Sequence, residues 1–372
     1  MDFVNETKVQ AGWTLGFQPD GRELLVVAVK ATYNIPENGQ EPVLAEVQEK
    51  LVESDTFTGE PGCSATKYEV DYAHWKPQCD VLVNGSAYAP GGRPAQRVTV
   101  GLGVGAVNKR FDVVGDRQWV DTFLMVTPSP VTSFVTMPIS YDRAYGGADK
   151  SPKKPDKVMT YLKNPIGVGY YPVCDREAIA GKPLPNTEQI GVPVTSVSDD
   201  YRPMSFGPIG RNFAERIPYA GTYDDDWLKT RAPFFPDNFD YRYFQAAPAD
   251  QQIPYPTGGE EIVLENLTPE GITRVRIPNK PMPVLFIPYR GKDRPVDAVM
   301  DTIVIEPDQN RFMITWRASL PLQRDCFEIK QTIAGEMPAA WHRARQIGNK
   351  PYYPSIGAYI RATRGWRGRP SQ

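Results

Sequence analysis

The sequence predicts an all-β protein, with antiparallel sheets of sandwich or barrel-like form joined by long ordered loops and little helix. Three observations carry this reading. Short β-branched runs recur at intervals of ~8–12 residues, the spacing of an antiparallel meander. The 37 prolines and 31 glycines punctuate the chain without a period, which marks turns and not a low-complexity tract. Helical periodicity is scarce.

The first strong element is LLVVAVKATY, Leu24 to Tyr33, apolar except at Lys30 and preceded by the turn signal Asp20-Gly21. Its near-continuous apolarity predicts a strand buried on both faces. A polar, acidic stretch from Pro36 to Asp55 reads as loop, with room for one exposed strand. From Cys79, CDVLVNGSAYAP, RVTVGLGV and KRFDVVGDRQWV read as successive strands, followed by TSFVTMPISY from Thr132 to Tyr141.

These runs make residues 1–145 an N-terminal antiparallel region. Residues 146–257 form an irregular belt whose frequent aromatics predict a long loop system held down by buried rings. Within it, Asp224 to Lys229 reads as one short helix. Strands resume over 258–336, where EEIVLENL, TRVRIP and PVLFIP precede a hairpin from Asp301 to Leu322 with its turn at Pro307 to Asn310. This region is expected to pack on the same core as the first. Residues 337–372 form a basic tail without any acidic residue, and around its start the Gly335 to Gln346 stretch suggests helix.

A formal charge of −2 argues against a general nucleic-acid partner. No apolar run reaches the ~18 residues of a membrane span, and no export signal is evident, so a cytoplasmic protein with no membrane partner is expected. Cys63, Cys79, Cys174 and Cys326 are widely spaced and are expected to be reduced and mostly buried.

GLGVGA at Gly101 to Ala106 lacks the following helix that a dinucleotide loop requires, and reads as a glycine-rich hairpin. Two histidines, His74 and His342, are too few for a triad or a zinc set, and His74 reads as a surface residue. No catalytic, cofactor or metal site is expected. Asp224, Asp225 and Asp226 before Trp227 read as a helix start, with Glu260 and Glu261 as the other acids a glycosidase would need.

Several strings join turn-formers to charged or aromatic residues: GDRQW, YDRAYGG, NPIGVGYY, LPNTEQ, PYAGTYDDDW and ITWRA. Arg117 and Arg143 are expected to be buried guanidiniums bridging strand ends and loop carbonyls, with Asp116 and Asp142 beside them as partners. Trp119, Trp227 and Trp316 are expected core rings, and Asn186, Glu188 and Arg317 lie in the same strings.

These strings, in order, resemble a bacterial family built on a domain of unknown function and encoded beside type VI secretion spike genes. The likeness runs from KATY at Lys30 through YEVDYAHWKPQCDVLVNGSAYAPGG, MPISYDRAYGG and AGTYDDDWLKTRAPFFPDNFDYRYFQAAPADQQ to the final hairpin. Asp71, Lys76, Pro77 and Asp80 fit its pattern D-x-x-x-x-K-P-x-x-D, and Tyr141 and Tyr145 flank the arginine of its Y-x-R-A-[FY]-G-G string. His74-Trp75 departs from it in bulk. The resemblance implies a non-enzymatic adaptor or chaperone that binds a type VI effector, often PAAR-bearing, and helps load it onto the VgrG spike. A carbohydrate-binding β-sandwich and a glycosidase-type hydrolase are the alternatives.

Overall fold

The computed structural model describes residues 1–37, 39–150, 158–347, 351–353 and 355–364. Its largest sheet has six strands, in spatial order Gln252–Ile253, Cys79–Val83, Val299–Glu306, Arg311–Pro321, Glu23–Asn34 and Gln10–Phe17. The Glu23–Asn34 strand pairs with antiparallel neighbours on either side and is buried on both faces, because Leu25, Val27 and Val29 enter the apolar core while loop residues Asp71 and Glu49 close over Lys30 and Thr32. Val299–Glu306 and Arg311–Pro321 form the expected hairpin, turned by Pro307–Gln309 and by Asn310 in the left-handed region.

A five-stranded antiparallel sheet follows the order Thr187–Glu188, Val107–Val114, Arg97–Val104, Glu261–Glu265 and Ile272–Arg276. GLGVGA ends one strand of its central hairpin and supplies the turn, Gly105-Ala106. Val104 pairs with Val107, and Gly105 takes a φ of 55° that suits glycine. The third sheet orders Asp2–Asn5, Ile329–Ala334, Pro283–Pro288 and Arg294–Asp297.

One apolar core joins the three sheets. It contains Leu25, Val27 and Trp316 from the first, Val100 and Leu264 from the second, and Phe286 and Ile329 from the third. Strands from the beginning and end of the chain therefore alternate within the same sheets. Among the described residues none of the sheets closes into a barrel.

Several expectations need correction. Asp2–Asn5 and Gln10–Phe17 are strands ahead of the first one expected. The pairing is not wholly antiparallel, since Cys79–Val83 runs parallel to Val299–Glu306 and Asp2–Asn5 parallel to Ile329–Ala334. Cys63 and Cys174 are exposed; only Cys79 is fully buried. The helix expected within Gly335 to Gln346 is present as Ala339–Gln346, and its Trp341 packs on Ile287 and Ile333. A further helix covers Ile356–Arg364. Lys350, Arg367 and Arg369 lie outside the described residues.

In the belt, strands shrink to two residues and rings do the anchoring. Tyr145, Tyr161 and Tyr201 gather around Trp119, while Phe239 and Phe244 pack with Ala73. His74 is half-buried between Phe235 and Phe244, not a free surface histidine, and burial lowers its pKa.

Candidate functional site

The outer face of the six-stranded sheet carries a buried ionic layer, and register explains why. Lys30 pairs with Thr315, Thr315 with Thr302, and Thr302 with Asp80, so these side chains share one face. The opposite face carries Leu25, Val27 and Ile303 into the core.

Loop segments close over this layer. Lys30 Nζ lies 2.9 Å from Asp71 Oδ2, which also accepts the Val52 amide at 2.8 Å. Lys76 Nζ lies 2.7 Å from Asp80 Oδ2 and 2.8 Å from Thr302 Oγ1. Asp80 further accepts Gln245 Nε2 at 2.6 Å and the amides of Ala246 and Ala247. Arg317 pairs with Asp301 and donates to the Asp71 carbonyl. Asp71, Lys76 and Asp80 thus clamp two loops to the sheet, and each buried charge faces an opposite one. Trp316, beside Arg317, points the other way into the core.

A second polar cluster braces the rim of the five-stranded sheet. Arg117 is buried and 2.8 Å from Glu188 Oε1, while Arg97 takes Glu188 Oε2 at 2.8 Å. Arg117 also donates to the Pro185 carbonyl at 2.9 Å. The adjacent-residue pairings expected from sequence are replaced by longer-range ones. Asp116 accepts Arg143 NH2 at 3.0 Å and Asn186 Nδ2 at 2.9 Å, whereas Asp142 accepts the Ala65 amide and the Thr58 hydroxyl. Arg143 is only half-buried.

Asn164 ties Tyr141 to Tyr145 by donating to both carbonyls, at 2.9 and 3.0 Å. Gly146 has a φ of 147° and lies against the Asn164 backbone, where a Cβ would collide. Tyr145 and Tyr141 are buried in separate clusters, and burial raises both hydroxyl pKa values far above the usual phenol range.

What this brace holds is a protruding hairpin. Trp119–Asp121 pairs with Val126–Pro128, and buried Trp119 roots it in the tyrosine cluster. The main chain of Trp119 also bonds Gly181 and Lys182, at 2.8 and 2.9 Å. At the tip, Phe123, Leu124 and Met125 are 86%, 80% and 60% exposed. Phe123 has a φ of 71°, a costly conformation for a bulky residue, of order 1–3 kcal/mol. Its amide bonds Asp121 Oδ1 at 3.0 Å, its carbonyl accepts Arg176 NH1 at 2.8 Å, and Thr122 closes on the Met125 carbonyl at 2.7 Å. Three consecutive apolar side chains are therefore held out in water by a fixed backbone, a property of recognition surfaces. Sequence reading stopped at Val120 and missed the tip; the signal was the FLM triplet close to the anchoring tryptophan.

Trp227 is a correction. It is half-buried on the surface helix Asp225–Thr230, edge-on to Tyr223, and lies outside the core clusters. Asp224 caps that helix through the Trp227 amide at 2.9 Å. Glu260 accepts the Thr257 and Gly258 amides at 2.8 Å, which lower its pKa although desolvation works against them. Among the described residues, no group of three His, Cys, Asp or Glu side chains is arranged to hold a metal.

Sequence reading also missed Lys109. It follows the inward period Val107, Lys109, Phe111, Val113, so a lysine stands on the apolar face of a strand. Its amine reaches Asp250 at 3.0 Å and Gln251 at 2.7 Å and lines a cleft of about 410 Å³ with Tyr201, Arg202 and Glu215. Burial lowers its pKa to about 8, and the neighbouring Asp250 only partly offsets this.

Among the described residues no helix is long and apolar enough to cross a membrane. No curated protein and no solved structure matches the chain. Residues 20–317 match the family described as uncharacterized protein conserved in bacteria, DUF2169. With most of its length covered, the chain belongs to that family.

Proposed function

We propose that this DUF2169 protein is a non-enzymatic adaptor or chaperone that binds a protein client in the bacterial cytoplasm. The client class follows the sequence resemblance: a type VI effector, held through its PAAR region or the segment adjoining it and loaded onto the VgrG spike. The observation that carries the reading is the braced hairpin tip at Phe123, Leu124 and Met125.

Its physics suits docking. Burying a Phe or Leu side chain is worth ~1.5–3 kcal/mol relative to leaving it in water, so the tip gains by entering a partner's pocket. The backbone already holds its conformation, so little ordering cost remains on binding. The charged residues of the shared strings serve the brace and the clamp, Asp71, Lys76 and Asp80 below one loop system, Arg117, Arg143, Asn186 and Glu188 below the other. A client protected in this way is stabilised by mass action, with no chemistry required.

Affinity capture of the tagged chain from the bacterium that makes it, read by mass spectrometry, tests the proposal. A PAAR-bearing effector or a VgrG protein is the expected dominant partner. Retention of glycans in place of any protein would favour the carbohydrate-binding alternative.

A further inference from the structure

The three larger sheets have six edges, and five are guarded. Gln252–Ile253 and Thr187–Glu188 are only two residues long. Ile272–Arg276 carries Arg274 and Arg276, Arg294–Asp297 carries two charges and Pro295, and Asp2–Asn5 is a four-residue strand opening on an aspartate. Short length, charge and proline are the devices that stop an edge from pairing with another chain. The sixth edge, Gln10–Phe17, reads QAGWTLGF: eight residues with no charge and no proline.

The ladder shows which of its groups are open. Gln18 donates to the Arg22 carbonyl at 2.8 Å, and bonded pairs alternate along an antiparallel ladder. The backbone of Gln10, Gly12, Thr14 and Gly16 therefore bonds inward to Glu23–Asn34. That of Ala11, Trp13 and Leu15 points away from the sheet; Phe17 shares their direction, but its backbone is already engaged by the His74 ring. Among the described residues no other strand pairs with this side. One sheet face beside it is filled, since Tyr72 and His74 lie over Gly12 and Gly16; on the other, Phe17 packs edge-on to Phe234 while Trp13 and Leu15 stay partly exposed.

From this we infer that Gln10–Phe17 takes up an extended segment of the client as a seventh strand. The inference rests on the adaptor reading and specifies how that client is held. The exposed area selects the occupant. Trp13, Leu15 and Phe17 are 39%, 36% and 37% exposed. Together they offer roughly a third of the ~800 Å² that each subunit of a stable dimer contributes, taking large side chains at ~150–250 Å². A second copy is therefore poorly served by this edge. A single strand, bound chiefly by main-chain hydrogen bonds, needs no more.

Residue-resolved amide exchange on the free chain and on its co-purified complex with the captured client tests this. In the free chain the amides of Ala11, Trp13 and Leu15 should exchange at least tenfold faster than those of Gly12, Thr14 and Gly16. In the complex the first set should slow by tenfold or more. Trp13→Lys and Leu15→Lys place charges at the edge and should each weaken client retention at least tenfold, with Tm little changed. Leu15→Pro, which removes an outward amide, should do the same. Uniform protection in the free chain would overturn the inference without reference to any client. A captured client that leaves these amides fast, or that the edge variants retain fully, overturns the strand but not the adaptor. Failure to capture any protein overturns both, and dimerisation of the free chain through this edge assigns it to a second copy.

Discussion

Lys76 and Asp80 form a 2.7 Å ion pair four residues apart, although no helix joins them. Lys76 ends a loop and Asp80 lies in the Cys79–Val83 strand, so the pair fastens the loop where the chain enters the sheet. The Asp80 side chain has no exposed surface and also receives donors from Gln245, Ala246 and Ala247.

Asp80→Ala should therefore be among the most damaging substitutions outside the apolar core. It leaves the Lys76 ammonium buried without a counter-charge, a change that costs ~3–5 kcal/mol. Urea unfolding should show this loss, and Lys76→Met in the same chain should recover part of it. An additive double variant would contradict the clamp.

Arg117 and Arg143, alike in the sequence, should behave differently. Arg117→Ala strands the buried Glu188 carboxylate with only the more exposed Arg97 as counter-ion, and should cost ~3 kcal/mol or more. Arg143→Ala removes a pair whose Asp116 partner is largely exposed, and should cost about 1 kcal/mol or less. Thermal unfolding of the two variants gives the comparison; equal losses would contradict it.

Lys109 should make stability rise with alkaline pH. Its folded pKa is about 8, below the ordinary lysine value of 10.5, so between those values the unfolded chain binds more of this proton than the folded one. Unfolding free energy then increases with pH across that window, as the cost of burying the charge is relieved. Below about pH 8 the full cost is present. Comparing the native chain with Lys109→Met from pH 7 to 10.5 isolates the effect from tyrosine titration. The native chain should gain on the variant as pH rises; a constant difference would contradict the burial argument.

Local signals made much of the fold legible. The hairpin at Pro307–Asn310 and the GLGVGA turn carry their own turn chemistry, and the apolar run of Glu23–Asn34 gives both its conformation and its burial. Gln10–Phe17 was hidden because two glycines and sparse β-branching weaken its pattern, while its stability comes from pairing with a strong neighbour. The arginines and aspartates of the shared strings were legible as important, but their partners were not. Arg117 finds Glu188 across a fold-back of 71 residues, and nothing local favours that carboxylate over the adjacent Asp116. Lys109 was legible in principle, as the one polar member of an inward period.

The most direct measurement is the affinity of the purified client for the native chain and for Phe123→Ser/Leu124→Ser, by isothermal titration calorimetry. Both substituted side chains are exposed, so Tm should stay near the native value. If the braced tip is the client-binding surface, affinity should fall by roughly tenfold or more, the loss typical of an apolar anchor. Unchanged affinity in a folded variant would contradict the account.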